Sequence, residues 1–341
     1  MTASVGLPAI SVVIPAHNAA SHLAACLDAI ARSEVTPFEC IVVDDASSDN
    51  TAETARSRNA TVVRTHDCRG PAAARNTGAR MATGALLLFL DSDVVVSPDT
   101  IQLVAEAFHN DAELDALMGC YDDAPAAGNF TSQFEGLHHH YMHQTAGVEA
   151  RGLAGFCSAV KREIFLRAGG FDERYSRPSI EDVELGLRLS QQGRKLRLMK
   201  HVRVKHLKRW SLVGLVRAEV LTRAVPWARL MLRSGTLGND LNLAALQKLS
   251  AALALFTSIA LPIGTLGRSP ALITMAAAGL LLFVACNWGF HGFLYSRRGT
   301  WFFVPSGAIW LLAGNSIRGE FACRQAYCCV LTRGSELVGA G

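Results

Sequence analysis

The run LLLFLDSDV at residues 86–94 constrains the fold of this chain more than any other stretch. An apolar run that stops abruptly at two carboxylates reads as a strand buried on both faces, delivering acids at its carboxyl end. While the chain stays extended its side chains alternate, so Asp91 and Asp93 are expected on one face and Ser92 on the other. The pair has two readings. It ends the strand in a plain turn, or it shares a hard divalent cation, which prefers oxygen ligands, keeps several waters and is completed by substrate phosphates. The second reading points to a metal that holds a nucleotide diphosphate.

The flanking pattern supplies a sheet for that strand. Residues 10–14 (ISVVI) form a β-branched run stopped by Pro15, with His17 and Asn18 in the loop. Ser21 reads as the cap of a helix with Leu23, Cys26, Leu27 and Ile30 on one face. A second apolar run at 40–43 closes on Asp44 and Asp45, followed by Ser47, Ser48 and Asp49 ahead of a helix from Asn50; a third strand falls at 61–64. Pro71 opens a helix to Met81 carrying Arg75 and Asn76, and Pro98 opens another with Ile101, Val104, Ala105 and Phe108, before a strand at 117–121. Strands alternating with helices on short connections predict an α/β fold with a mainly parallel, Rossmann-like sheet covered on both faces. Pro15, Asp45 and the acidic pair then meet at the strand carboxyl ends.

From 122 to 151 the periodicity weakens, and this part holds His138, His139, His140 and His143. On a helix His139 and His143 share a face and could bind a metal, yet a polar, solvated helix is the better reading. A strand at 155–160 and a turn at Gly169, Gly170 and Phe171 lead to a helix with Val183, Leu185, Leu187 and Leu189 among charges. Ser179 is its expected cap, which places Glu181 and Asp182 in the first turn. The helix dipole favours carboxylates there, so each has a structural reading beside the functional one, that one of them removes a proton. A last strand, 197–205, ends at His206.

The later chain changes character. The whole chain's mean hydropathy of +0.22 is concentrated here: residues 248–316 carry only Lys248, Arg268, Arg297 and Arg298 as charged positions. Residues 249–266 and 271–290 are each expected to span a bilayer as a hairpin, whereas 301–316, interrupted by Pro305 and Gly307, reads as re-entrant or interfacial. Net charge is only +4, but between Arg194 and Arg233 twelve Lys or Arg face a single acid, Glu219. Placed just before the apolar region, this basic run favours an anionic membrane surface and excludes nucleic acid as the expected partner. Residues 212–232 read as two short interfacial helices broken at Pro226. All five tryptophans, Trp210, Trp227, Trp288, Trp301 and Trp310, follow the catalytic motifs, as interfacial anchors would. Basic residues before the first span, with Arg297 and Arg298 after the second, place both ends in the cytosol. Scattered Cys26, Cys40, Cys68, Cys120 and Cys157 fit a reduced, cytosolic catalytic part, and Cys323, Cys328 and Cys329 read as ordinary thiols before lipid or metal sites. The N-terminus, MTASVGLPAI, does not read as a signal peptide.

In order, the segments SVVIPAHN, IVVDDASSDNT, RGPAAARNTGA, FLDSDV, GGFDE and IEDVELGLRL resemble the inverting family 2 glycosyltransferases over about residues 10–210. The resemblance implies a GT-A fold at 1–209, here followed by interfacial helices at 210–235, a helical membrane region at 236–317 and a basic tail at 318–341. It implies that Pro15, Ala16, His17 and Asp45 line the base and ribose pocket, that Arg75 and Ser92 belong to the nucleotide site, and that Asp91 and Asp93 hold Mg2+ or Mn2+ on the diphosphate. It maps the catalytic base to Asp182, with Glu181 as an acceptor contact. A further metal ligand maps to His206, with His201 as its rival. The implied protein is a multi-pass, hexosyltransferase-type membrane enzyme. It would move a sugar from a UDP- or GDP-linked donor to a hydroxyl of a lipid or lipid-linked glycan of the cell envelope, at the cytosolic membrane face. Two alternatives are a polyprenyl-phosphate glycosyltransferase, whose ionised acceptor needs no base, and a catalytically silent sugar-nucleotide binding membrane protein.

Overall fold

The computed structural model describes residues 6–234, 245–300 and 302. The chain divides into two compact units: one from residues up to 128 together with 143–209, the other from 129–142 together with residues from 210 onward.

The first unit is built on an eight-stranded sheet. Its strands are β1 (Ile10–Ala16), β2 (Glu39–Asp44), β3 (Thr61–Arg64), β4 (Leu86–Leu90), β5 (Val94–Val96), β6 (Leu114–Tyr121), β7 (Cys157–Lys161) and β8 (Lys195–His206), in the order β3-β2-β1-β4-β7-β6-β8-β5. The helices are α1 (Ala20–Ala31), α2 (Thr51–Arg56), α3 (Pro71–Met81), α4 (Thr100–Asn110), α6 (Arg162–Arg167) and α7 (Glu181–Gln191), with α5 (Phe130–Thr145) beginning in the second unit and ending in the first. β3, β2, β1 and β4 are parallel, as the alternating pattern requires. The other half corrects the expected mainly parallel sheet: β7 runs antiparallel to β4 and β6, and β5 antiparallel to β8, while β6 and β8 are parallel. The apolar composition of a strand buried on both faces reports burial, not direction, so β7 reads the same either way.

Period-two alternation sends the central strands into two cores. Val12, Ile14, Leu86, Leu88 and Leu90 pack with Leu23, Cys26 and Ile30 of α1 and Ile101 and Val104 of α4. Val13, Ile41, Val43, Leu87 and Phe89 pack with Ala72 and Ala79 of α3, Phe165 of α6 and Leu185 and Leu189 of α7. The extended phase of the 86–94 run ends at Leu90. Residues 91–93 form a turn in which Val94 N–H donates to Asp91 O at 3.3 Å, so strand alternation does not govern the two acids.

In the second unit a helical stretch runs unbroken from α8 (Leu212–Arg217) through a π-helical segment, Ala218–Ala224, into α9 (Val225–Ser234). This replaces the two separate helices expected around Pro226. The proline ring crowds the backbone of the preceding turn, which is the widened one. α10 (Ala245–Leu266) packs on α11 (Pro270–Cys286), and α12 (Trp288–Arg298) follows a 74° bend. Among the described residues no single helix is long and apolar enough to cross a membrane, and the bent pair α11 and α12 passes that test only together. The uninterrupted span expected at 271–290 is therefore corrected: the helix stops at Cys286, where Asn287 Nδ2 donates to Phe283 O at 2.6 Å and to Ser250 Oγ at 2.8 Å. The segment at 303–316 and the tail cysteines lie outside the described residues.

Gly78 marks the closest approach of α3 to the sheet. A Cβ placed there would lie 2.5 Å from Val13 Cγ1 and 3.1 Å from Val43 Cγ2. Overpacking of about 1–3 kcal/mol opposes a gain in helix propensity of about 1 kcal/mol. Gly78→Ala is expected to lower the unfolding temperature of the detergent-solubilised full chain; an unchanged or higher value would show that α3 lifts freely.

Candidate active site

Two loops at the strand ends form one rim. Pro15 and Ala16 are the last, buried residues of β1, and the exposed His17 holds its Nδ1 2.7 Å from Asp45 O. Asn18, at φ +49°, accepts through Oδ1 from Ser48 N–H at 2.9 Å and from Ser48 Oγ at 3.0 Å. Asp45 is only 3% exposed. Its Oδ1 accepts from Thr65 Oγ1 at 2.9 Å and Arg69 N–H at 3.1 Å, and its Oδ2 from Gly70 N–H at 2.7 Å. These bonds fasten the 65–70 loop at the start of α3.

Arg75 joins the distant acids. Its side chain, 4% exposed, donates from Nη2 to Asp91 Oδ1 at 2.6 Å and from Nη1 to Glu181 Oε1 at 2.8 Å. Phe171 supports it, with the guanidinium carbon 5.4 Å from the ring centroid. Asn76, the next residue, secures that support: Nδ2 donates to Phe171 O at 2.9 Å and Oδ1 accepts from Phe171 N–H at 2.8 Å. Glu181, expected as an acceptor contact, is buried, and its second oxygen accepts from Ser179 N–H at 2.9 Å. Glu181 holds Arg75. Asp182, half-buried beside it, accepts through Oδ2 from Gly155 N–H at 2.6 Å. A Cβ on Gly155 would lie 2.6 Å from Arg75 Nη2, so Asp182, Gly155, Arg75 and Asp91 are neighbours.

Asp93 faces the other way in the turn, with Oδ2 3.3 Å from His206 Nε2 at the end of β8. The His206 ring stacks on Tyr121 at 4.9 Å, and Tyr121 stacks on Phe156 at 3.9 Å. His201 is exposed farther back along β8. Ser92 is half-buried between the two acids.

The electrostatics differ across the turn. Burial pushes the Asp91 carboxyl above its ordinary range; Arg75 opposes this, and repulsion from Asp93 and Glu181 adds to it. Asp93 also loses water, but the His206 hydrogen bond and the charges of His206, Lys208 and His22 bring its carboxyl below the usual value. Burial favours loss of the Arg75 proton, yet Asp91, Glu181 and Asp182 together hold the guanidinium charged. Three carboxylates thus surround one guanidinium. Asp93 beside the His206 imidazole, with Asp91 across the same turn, offers oxygen and nitrogen donors of the kind that suit Mg2+ or Mn2+.

Residues 11–168 match the sequence profile of Glycosyl transferase family 2. The chain is 27% identical over 185 residues to an uncharacterised glycosyltransferase of Haemophilus influenzae, covering 54% of this chain and 62% of that protein. It is 31% identical over 222 residues to the validoxylamine A glucosyltransferase of Streptomyces hygroscopicus subsp. limoneus, covering 55% and 49%. The matches thus span about half to three-fifths of these relatives' length. A mannosyltransferase from Pyrobaculum calidifontis, solved with GDP-Man and Mn2+, superposes with a TM-score of 0.52 at 19% identity, over 99% of this chain and 89% of that one, and shows the shared GT-A-like fold.

Within the first unit, sequence reasoning missed Tyr121, Phe156 and Gly155. Tyr121 carried one signal, an aromatic ring at the end of an apolar strand. Gly155 carried none, since its backbone N–H is what acts. Replacing Arg75 by Met leaves Glu181 buried and unpaired and is expected to cost about 3 kcal/mol, the lower end for such a loss because Asp91 is a third exposed. Thermal unfolding of Arg75→Met beside Glu181→Gln measures this; wild-type stability in both would remove Arg75 as the tie.

Proposed function

We propose that this protein transfers a sugar from a nucleoside-diphosphate sugar to a hydroxyl acceptor, with inversion at the anomeric carbon. The observation that carries the reading is the convergence through Arg75 of Asp91, from the end of β4, and the Glu181–Asp182 pair, from the start of α7. The named activities of the Streptomyces relative and the Pyrobaculum neighbour, and the GDP-Man and Mn2+ bound by the latter, support this donor class.

Asp91, Asp93 and His206 would hold Mg2+ or Mn2+, which would neutralise the charge growing on the departing diphosphate. Pro15, Ala16 and His17, with the loop fastened by Asp45, would seat the nucleoside. Asp182, oriented by Gly155 N–H, accepts the acceptor's hydroxyl proton as that oxygen attacks the anomeric carbon from the face opposite the leaving group. The carbon–oxygen bond to the diphosphate breaks, its electron pair leaves with the diphosphate, and an α-linked donor gives a β-linked product.

The second unit supports a bilayer setting. Leu255, Ile259, Ile263, Leu281 and Leu282 on α10 and α11 are exposed, Leu281 by 72%. Exposed leucines and isoleucines on paired helices, next to a basic run, suit contact with lipid and anionic headgroups. The acceptor is then a lipid or lipid-linked glycan of the cell envelope, glycosylated at the cytosolic face.

The test is donor hydrolysis and transfer by the purified full chain with Mn2+ or Mg2+. Asp93→Ala is expected to lose metal-dependent nucleotide binding. Asp182→Asn is expected to keep binding and lose about a hundred- to ten-thousandfold in transfer rate. Full transfer by Asp182→Asn would remove the base, and nucleotide affinity unaffected by chelation would remove the metal.

A further inference from the structure

α5 carries a second cluster of ionisable groups that sugar transfer does not use. In the second unit, one ligand atom from each of Glu135, His138 and His139 lies within 4.8 Å of the others. Their i, i+3, i+4 spacing sets both imidazoles over the glutamate on one side of the helix. Glu135 is 3% exposed. Its Oε1 lies 2.8 Å from His139 Nε2 and accepts from Arg223 Nη1 at 3.0 Å, while Oε2 is buried and accepts no hydrogen bond from the described residues.

Charge balance sharpens the picture. Arg223 sits in the π-helical segment, paired with the buried Glu219 one turn earlier. Arg223 thus divides one positive charge between two buried carboxylates, Glu219 and Glu135. A buried carboxylate with one oxygen unanswered calls for another cation.

We propose that Glu135, His138 and His139 bind a divalent transition-metal ion, with zinc the best match, at a site of its own in the second unit. Two imidazoles and one carboxylate are a known zinc donor set with a position left for water. A Glu-x-x-His pair on one helix is the pattern that metal-binding bundles use. Arg223 keeps Oε1 and leaves Oε2 for the ion.

The test uses the full chain in detergent carrying Asp93→Ala, which removes a ligand of the diphosphate-side site. After chelator treatment and removal, the protein is loaded with Zn2+, and bound metal is counted by mass spectrometry; Co2+ is loaded in parallel and its visible absorption recorded. The expected result is one Zn2+ per chain and an absorption band of four-coordinate Co2+. In His138→Ala/His139→Ala both should fall at least tenfold, and in the conservative His139→Gln they should fall while circular dichroism and unfolding temperature stay near the parent's. Zn2+ retained by the double variant, or absent from the parent, would overturn the proposal and leave a Glu135, His139 and Arg223 ion cluster in its place.

Discussion

The guanidinium of Arg75 is the interaction on which the rest of the site depends. It lies inside the protein between Asp91 and Glu181, two acids that the sequence separates by ninety positions. Buried like charges repel strongly where water is scarce, and a fixed cation between them turns that repulsion into cohesion. Arg75 does not neutralise the whole cluster. Asp93 and Asp182 remain, and this surplus of negative charge is what a divalent cation and a proton can each answer. One residue therefore holds the acids together and leaves them chemically available.

The scaffold explains why the guanidinium is so well placed. α3 can lie flat on β1 and β2 because Gly78 presents no side chain to Val13, and the helix then points Arg75 toward the strand ends. The neighbouring Asn76 grips Phe171, whose ring supports the guanidinium. Asp45 fixes the loop that enters the same helix. Segments that look like separate motifs along the chain are thus parts of one support.

Much of this was legible in the sequence, for physical reasons. Apolar runs ending at Pro15, Asp45 and Asp91 mark buried strands, and alternation with helices implies that their ends meet. Side-chain partnership was not legible. Glu181 looks like an exposed acid in a first helical turn, yet it is buried because Arg75 reaches it from α3, more than a hundred positions away. The Asp91–Asp93 pair follows a turn, not strand alternation, since the chain must swing from β4 into β5. β7 shows no sign of its direction because burial on both faces erases the pattern that would give it. In the second unit, hydropathy alone does not register Asn287, whose amide bonds fall where the helix bends by 74°.

The same physics frames both units: buried carboxylates persist where a neighbouring element brings a cation to them. In the first unit the cation from the chain is Arg75, between Asp91 and Glu181. The most direct measurement is anomalous scattering from crystals of the full chain grown with Mn2+ and a nucleoside diphosphate. The account predicts a manganese peak within bonding distance of carboxylate oxygens of Asp91 and Asp93, beside the diphosphate, with Arg75 still on Asp91 and Glu181. A diphosphate bound with no manganese at those two acids would contradict it.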